Sequence, residues 1–148
     1  MTRYLFLLVA AGLTACAQPG MHRQVISTPH APTAIGPYSQ AIAAGDILFL
    51  SGQLPIDPET GGLKADASIE EQTALVISNL RAVLEAAGMT LDHVVSTQVF
   101  MQDLHEFARM NEVYAKYFSG NPARATVEVA RLPLDVKIEI AAIAVRTH

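Results

Sequence analysis

The stretch "DVKIEIAAIAVR", residues 135–146, is the last long apolar run of the chain. Read as a strand, it puts Val136, Ile138, Ile140 and Ala142 on one side and Glu139, Ala141, Ile143 and Val145 on the other, because successive side chains alternate. Both sides are therefore largely apolar. A sheet covered by helices on one face buries only one of them, and a bare apolar face of that size marks association. The expectation is an oligomer in which bare sheet faces meet.

Upstream, "NPARATVEVARLP" at 121–133 alternates again, with Arg124, Thr126 and Glu128 on one face and Ala125, Val127 and Val129 on the other. The apolar face suits a core, and the mixed face is placed at the edge of the contact between copies. "HVVSTQVFMQD" at 93–103 sets Val95, Thr97, Val99 and Met101 against Ser96 and Gln98 and reads as a further strand. Before these, a Pro- and Gly-rich loop leads into "SQAIAA" and "DILFLSGQ", short β-type runs joined by Gly45-Asp46.

Two helical stretches interrupt the strands. Ser68 and Glu71 form a capping box, and Thr73, Val76, Ile77, Leu80, Val83, Leu84 and Ala87 keep a 3.6-residue period up to Gly88. A second capping pattern runs from Asp103 to Glu106, ahead of an apolar stripe of Phe107, Met110, Tyr114, Tyr117 and Phe118. Strands broken by two capped helices predict an α+β fold, one sheet with both helices on one face.

The first twenty residues stand apart. Arg3 is followed by an apolar run from Tyr4 to Leu13, shorter than the roughly 20 residues a spanning helix needs. This is the pattern of an export signal, and its end, "LTAC", resembles a bacterial lipobox with Cys16 as the lipid-attachment residue. Residues 1–15 are then a signal peptide, 16–24 a tether and 25–148 the domain, in a periplasmic protein held to a membrane by its lipid. An ordinary signal peptide with a chance cysteine stays open, as does a start at Met21, which would leave the protein cytoplasmic.

Composition narrows the chemistry. Only 16% of the 148 residues are charged and the formal net charge is -4, so neither a basic run nor an excess of base marks a nucleic-acid surface. Cys16 is the sole cysteine, which rules out a disulfide within the chain. His22, His30, His93, His105 and His148 show no i, i+4 pair and no neighbouring cysteine, so no metal site is expected. There is no glycine-rich phosphate loop and no G-x-S-x-G turn.

Several segments together resemble the RidA/YjgF family of reactive-intermediate (imine/enamine) deaminases. They are "AIGPYSQA" at 34–41, "LFLSGQLPIDPETG" at 48–61, "LEAAG" at 84–88, "VVSTQVFMQDLHEFARMNEVYAKYF" at 94–118 and "PARATVEVARLPLDVKIEIAAIAVR" at 122–146. The resemblance implies a chorismate-mutase-like fold and a homotrimer with its sites in clefts between subunits. Arg124 matches the family's substrate-carboxylate arginine and Glu139 the acidic residue that holds the attacking water. Tyr38 and Asn111 match polar residues lining the site, Ser51 and Gly52 the cleft segment, and Thr126 stands where the family's archetype often has cysteine. A thiol nucleophile is thereby excluded, whereas the family's proposed hydrolysis uses water.

The implied substrate is a 2-imino acid such as 2-iminopropanoate or 2-iminobutanoate, and the products a 2-oxo acid and ammonia. No cofactor is needed, since an imine is already electrophilic. Without the resemblance, Arg124 reads as a surface ion-pair residue, Glu139 as a partner of Lys137, and Tyr114 as core. A non-catalytic module that binds small carboxylates, or a holdase using exposed apolar surface, is the rival on the same fold. Nuclease activity sits poorly with the acidic charge.

Overall fold

The computed structural model describes residues 22–147. Cys16 and the export signal lie outside these residues. Strands β1 (Arg23–Ile26), β2 (Ala41–Ala44) and β3 (Ile47–Gln53) come first, followed by helix α1 (Ile69–Ala86). Strand β4 (Val94–Met101), helix α2 (Phe107–Tyr117), β5 (Ala123–Glu128) and β6 (Ile138–Val145) complete the chain. β1 takes up the last two residues of the stretch read as a tether.

The six strands form one sheet in the order β1-β2-β3-β6-β4-β5. Every pairing is antiparallel except β4 with β5, which are parallel and joined through α2. A parallel pair needs such a crossover, because no tight turn can bring the chain back to the same end. The last two strands flank the 3-10 turn Pro133–Asp135 but are not neighbours, since β4 lies between them.

α1 follows the sequence closely. The Ser68 hydroxyl accepts from the Glu71 amide at 3.2 Å, and the Glu71 carboxylate accepts from the Ser68 amide at 3.0 Å, which satisfies two donors the first turn leaves orphaned. At the other end Gly88 adopts φ +69°, and the Met89 amide donates to the Leu84 carbonyl at 2.9 Å. α2 starts differently from the expected capping box. Asp103 accepts from the amide of His105, and Glu106 turns aside to pair with Lys137 and Arg109.

One sheet face carries the core. Leu48, Leu50, Val99, Met101, Ile138, Ile140, Ala142 and Ala144 meet Ile69, Val76, Ile77, Leu80, Val83 and Leu84 of α1 and Met110 and Tyr114 of α2. Each fully buried aliphatic side chain contributes about 1.5–3 kcal/mol. The opposite face is apolar and uncovered: Phe49 is 46% exposed, Val95 47% and Val127 44%.

Two details of side-chain facing differ from the alternation read in the sequence. A register shift between Val94 and Ser96 turns Val95 out and buries Val94 in its place. In β5, Arg124 and Thr126 are level with Thr97 and Val99 of β4, which face the helices. It is therefore the mixed face of β5 that lies on the helix side, and Ala125 and Val127 join the open face.

Candidate functional site

The residues singled out in the sequence fall into two clusters. In the first, Tyr38, Ser51, Gly52 and Glu139 line a cleft of about 370 Å³ with Ile35, Leu54 and Pro133. Buried Gln40, outside the cleft, holds the loop that carries Tyr38. Its side-chain NH2 donates to the carbonyls of Thr28, Ala31 and Pro32, at 3.1, 3.2 and 2.8 Å, and its carbonyl accepts from the Thr28 amide at 2.7 Å. The Ser51 hydroxyl then donates to the Ser39 carbonyl at 2.7 Å, and the Ser51 amide to that of Gln40 at 3.0 Å. These bonds fasten the loop that bears Tyr38 to β3.

At Ser51 and Gly52 the strand takes one residue more than its partner, with Leu50 level with Ala142 and Gln53 level with Ile140. Such a bulge redirects side chains at the rim of a sheet. Glu139 lies against it. A Cβ built on Gly52 would come 2.7 Å from the Glu139 carboxyl carbon, so any side chain at position 52 would push that carboxyl group from its place. Burial raises the carboxyl's pKa above its ordinary value, since desolvation disfavours the charged form. Lys137, the sequence-level alternative as its partner, pairs instead with Glu106 at 3.0 Å. The Glu139 carboxyl has no hydrogen-bond partner among the described residues.

The cleft's last wall, Pro133, precedes two residues in the left-handed region, Leu134 at φ 58° and Asp135 at φ 55°. Arg131 bridges this turn through two hydrogen bonds to the Asp135 carboxylate, at 2.7 and 2.9 Å.

Arg124, Asn111 and Thr126 form the second cluster. A guanidinium N–H donates to the Asn111 side-chain carbonyl at 2.8 Å. The guanidinium carbon lies 4.5 Å from the ring centre of Tyr114 and 5.7 Å from that of Phe107. The Thr126 hydroxyl oxygen is shielded and finds no partner among the described residues. A guanidinium with donors to spare, on the same strand face as an unsatisfied hydroxyl two residues on, suits a small anion.

The clusters lie on opposite faces of the sheet. Arg124 is level with Thr97 on the helix face, whereas Glu139 is level with Phe100 on the open face. Their side chains point away from each other. Sequence reasoning missed the apolar lining of Ile35, Leu54 and Pro133, which no residue type announces. Its reading of Tyr114 as core holds, since the residue is buried, but it did not foresee that the ring also lies against the Arg124 guanidinium, on the helix surface that carries Asn111. Among the described residues no cluster of metal-ligating side chains occurs, and no helix is long and apolar enough to cross a membrane.

A family model described as Endoribonuclease L-PSP matches residues 28–146. A RutC family protein of Pyrococcus horikoshii is 54% identical over 123 residues, which cover 82% of this chain and 97% of the relative. The 2-iminobutanoate/2-iminopropanoate deaminase of Salmonella typhimurium is 47% identical over 127 residues, or 83% of this chain and 98% of that protein. The crystal structure of E. coli TdcF with bound serine superposes with a TM-score of 0.80 at 44% identity, covering 84% of this chain and 99% of that one. With a family model spanning most of the sequence and relatives matched along nearly their whole length, the chain belongs to the RidA/YjgF family, whose model bears the description Endoribonuclease L-PSP.

Proposed function

We propose that the protein hydrolyses 2-imino acids to 2-oxo acids and ammonia. The observation that carries this reading is the pairing of chemistries in the two clusters: an arginine with spare donors, and a half-buried carboxyl without a partner. The first suits a carboxylate and the second a proton in transit. Further support comes from a relative named as a 2-iminobutanoate/2-iminopropanoate deaminase and from another crystallised with serine, a small carboxylate bearing nitrogen at the same carbon.

Arg124 grips the substrate carboxylate and so orients the adjacent C=N carbon. Water adds its oxygen to that carbon, the π electrons pass to nitrogen, and the proton released by water goes to Glu139. Glu139 returns it to nitrogen to give a carbinolamine, then takes the remaining hydroxyl proton as the C=O bond forms and passes it to nitrogen as the C–N bond breaks, leaving ammonia and the 2-oxo acid. Because the two side chains diverge across one sheet, the working site takes Arg124 from one copy and Glu139 from another, in a homotrimer joined through the open faces. Proline, leucine and isoleucine of the cleft lining receive the apolar part of the substrate.

The test is hydrolysis of imines generated by L-amino-acid oxidase from alanine, leucine or methionine. We expect acceleration over the spontaneous rate, lost by at least about a hundredfold in Arg124→Ala, since a bidentate charged contact and its orienting effect disappear together. No acceleration by a folded, trimeric protein would overturn the reading. The uncovered apolar face favours a second one, a holdase, in which suppression of client aggregation survives Arg124→Ala. For location, we infer lipid attachment at Cys16 on the periplasmic side; Cys16→Ser should release the protein from membranes, and a product starting at Met21 in cells would overturn it.

A further inference from the structure

We propose that Tyr114 is the positioning residue that sets the carboxylate grip of Arg124, an inference that rests on the deaminase reading above. Arg124 lies on β5, the strand at one edge of the sheet, and its side chain is exposed. A long side chain there samples many rotamers unless something holds it, and one hydrogen bond to Asn111 fixes a single N–H. Two rings also approach the guanidinium carbon, Phe107 at 5.7 Å and, much nearer, Tyr114 at 4.5 Å, well within the range in which a ring face attracts a cation.

The ring is itself immobilised. Its hydroxyl shares a 2.7 Å hydrogen bond with Thr97, which is fully buried, and its face stacks on Phe118 with centroids 4.4 Å apart. Tyr114 is 6% exposed. Thr97 is level with Arg124 across β4 and β5, so the same strand pair that places the guanidinium also anchors the ring beneath it. Tyrosine thus has a structural end, its hydroxyl in the core, and a working end, the ring under the cation. A purely packing residue at this position would need only the first.

Two readouts on the full-length protein separate this role from a structural one. Affinity for 2-oxobutanoate, a product-type carboxylate, is followed by NMR titration, and kcat and KM are measured with the imine made from alanine. In Tyr114→Leu we expect KM to rise and 2-oxobutanoate affinity to fall by roughly tenfold, with kcat changed less than about twofold. Tyr114→Phe keeps the ring and should recover most of the affinity, to within about threefold of the parent. Partial unfolding would do the opposite, lowering kcat through a smaller active fraction while leaving KM unchanged.

Should Tyr114→Leu fail to fold, Tyr114→Met reports in its place, since it too removes the ring while keeping a long apolar side chain. A parent-like KM and affinity in a folded Tyr114→Leu or Tyr114→Met would overturn the proposal. So would a Tyr114→Phe as weak as Tyr114→Leu. If the parent binds 2-oxobutanoate in a Tyr114-dependent way yet does not hydrolyse imines, the deaminase reading fails while the grip stands. A parent that neither binds nor hydrolyses overturns both.

Discussion

Gly52 and Glu139 lie 87 positions apart in the sequence and differ in kind, a turn-former and an acid, and the structure makes them one unit. The carboxyl occupies the space a Cβ would take, and burial raises its pKa. That shift has a sign. A carboxyl whose folded-state pKa exceeds its unfolded value favours the folded state at low pH, and this contribution is lost as pH rises through the raised value. Glu139→Gln does not titrate there. The variant should therefore melt higher than the parent at about pH 8, and the advantage should vanish near about pH 4. Melting curves across that range check it, and equal melting temperatures at both ends would contradict the burial. The same substitution should abolish imine hydrolysis, so stability and activity move in opposite directions. In the sequence, Glu139 stood out as an acid among apolar neighbours, and its lack of an ion-pair partner was not legible because Lys137 was nearer in the chain than Glu106.

Helix α1 was legible almost to the residue, because its signals are local: a capping box, an apolar period and a glycine stop all act within a few residues. β5 was not. Its alternation was readable, but which side faces the helices depends on its parallel pairing with β4, a relation set across the chain. The loop of residues 27–40 is another case in which long-range bonds decide. Four hydrogen bonds from one buried amide hold it, three of them to backbone carbonyls. Gln40→Ala leaves those groups unpaired and opens a small void, at a cost of about 2–4 kcal/mol. Urea denaturation should show the unfolding free energy fall by that amount through a lower midpoint at unchanged slope, and kcat/KM should fall too, because Tyr38 loses its mooring. An unchanged midpoint would mean that water replaces the amide without loss.

The whole-molecule consequence of a sheet with its two half-sites on opposite faces is complementation between inactive chains. Arg124→Ala retains a sound Glu139, and Glu139→Gln retains a sound Arg124. If each site draws one residue from each of two copies in a closed ring, random mixing of equal amounts restores about a quarter of the sites. Co-refolding the two variants and measuring imine hydrolysis reads this directly; no recovery in mixed trimers would place both residues of a site in one chain. The apolar pattern of residues 135–146, the run that forms β6 in the middle of the sheet, led only to the expectation of an oligomer, and the number three came from the family resemblance. That position also governs the protein's birth. β6 comes last in chain order among the described strands, and among them it alone joins β1-β2-β3 to β4-β5. Until β6 has left the ribosome, the strands made before it form two ribbons that no described strand joins, so the sheet closes only once β6 is available, and a stop codon just before Ile138 would leave it in two parts.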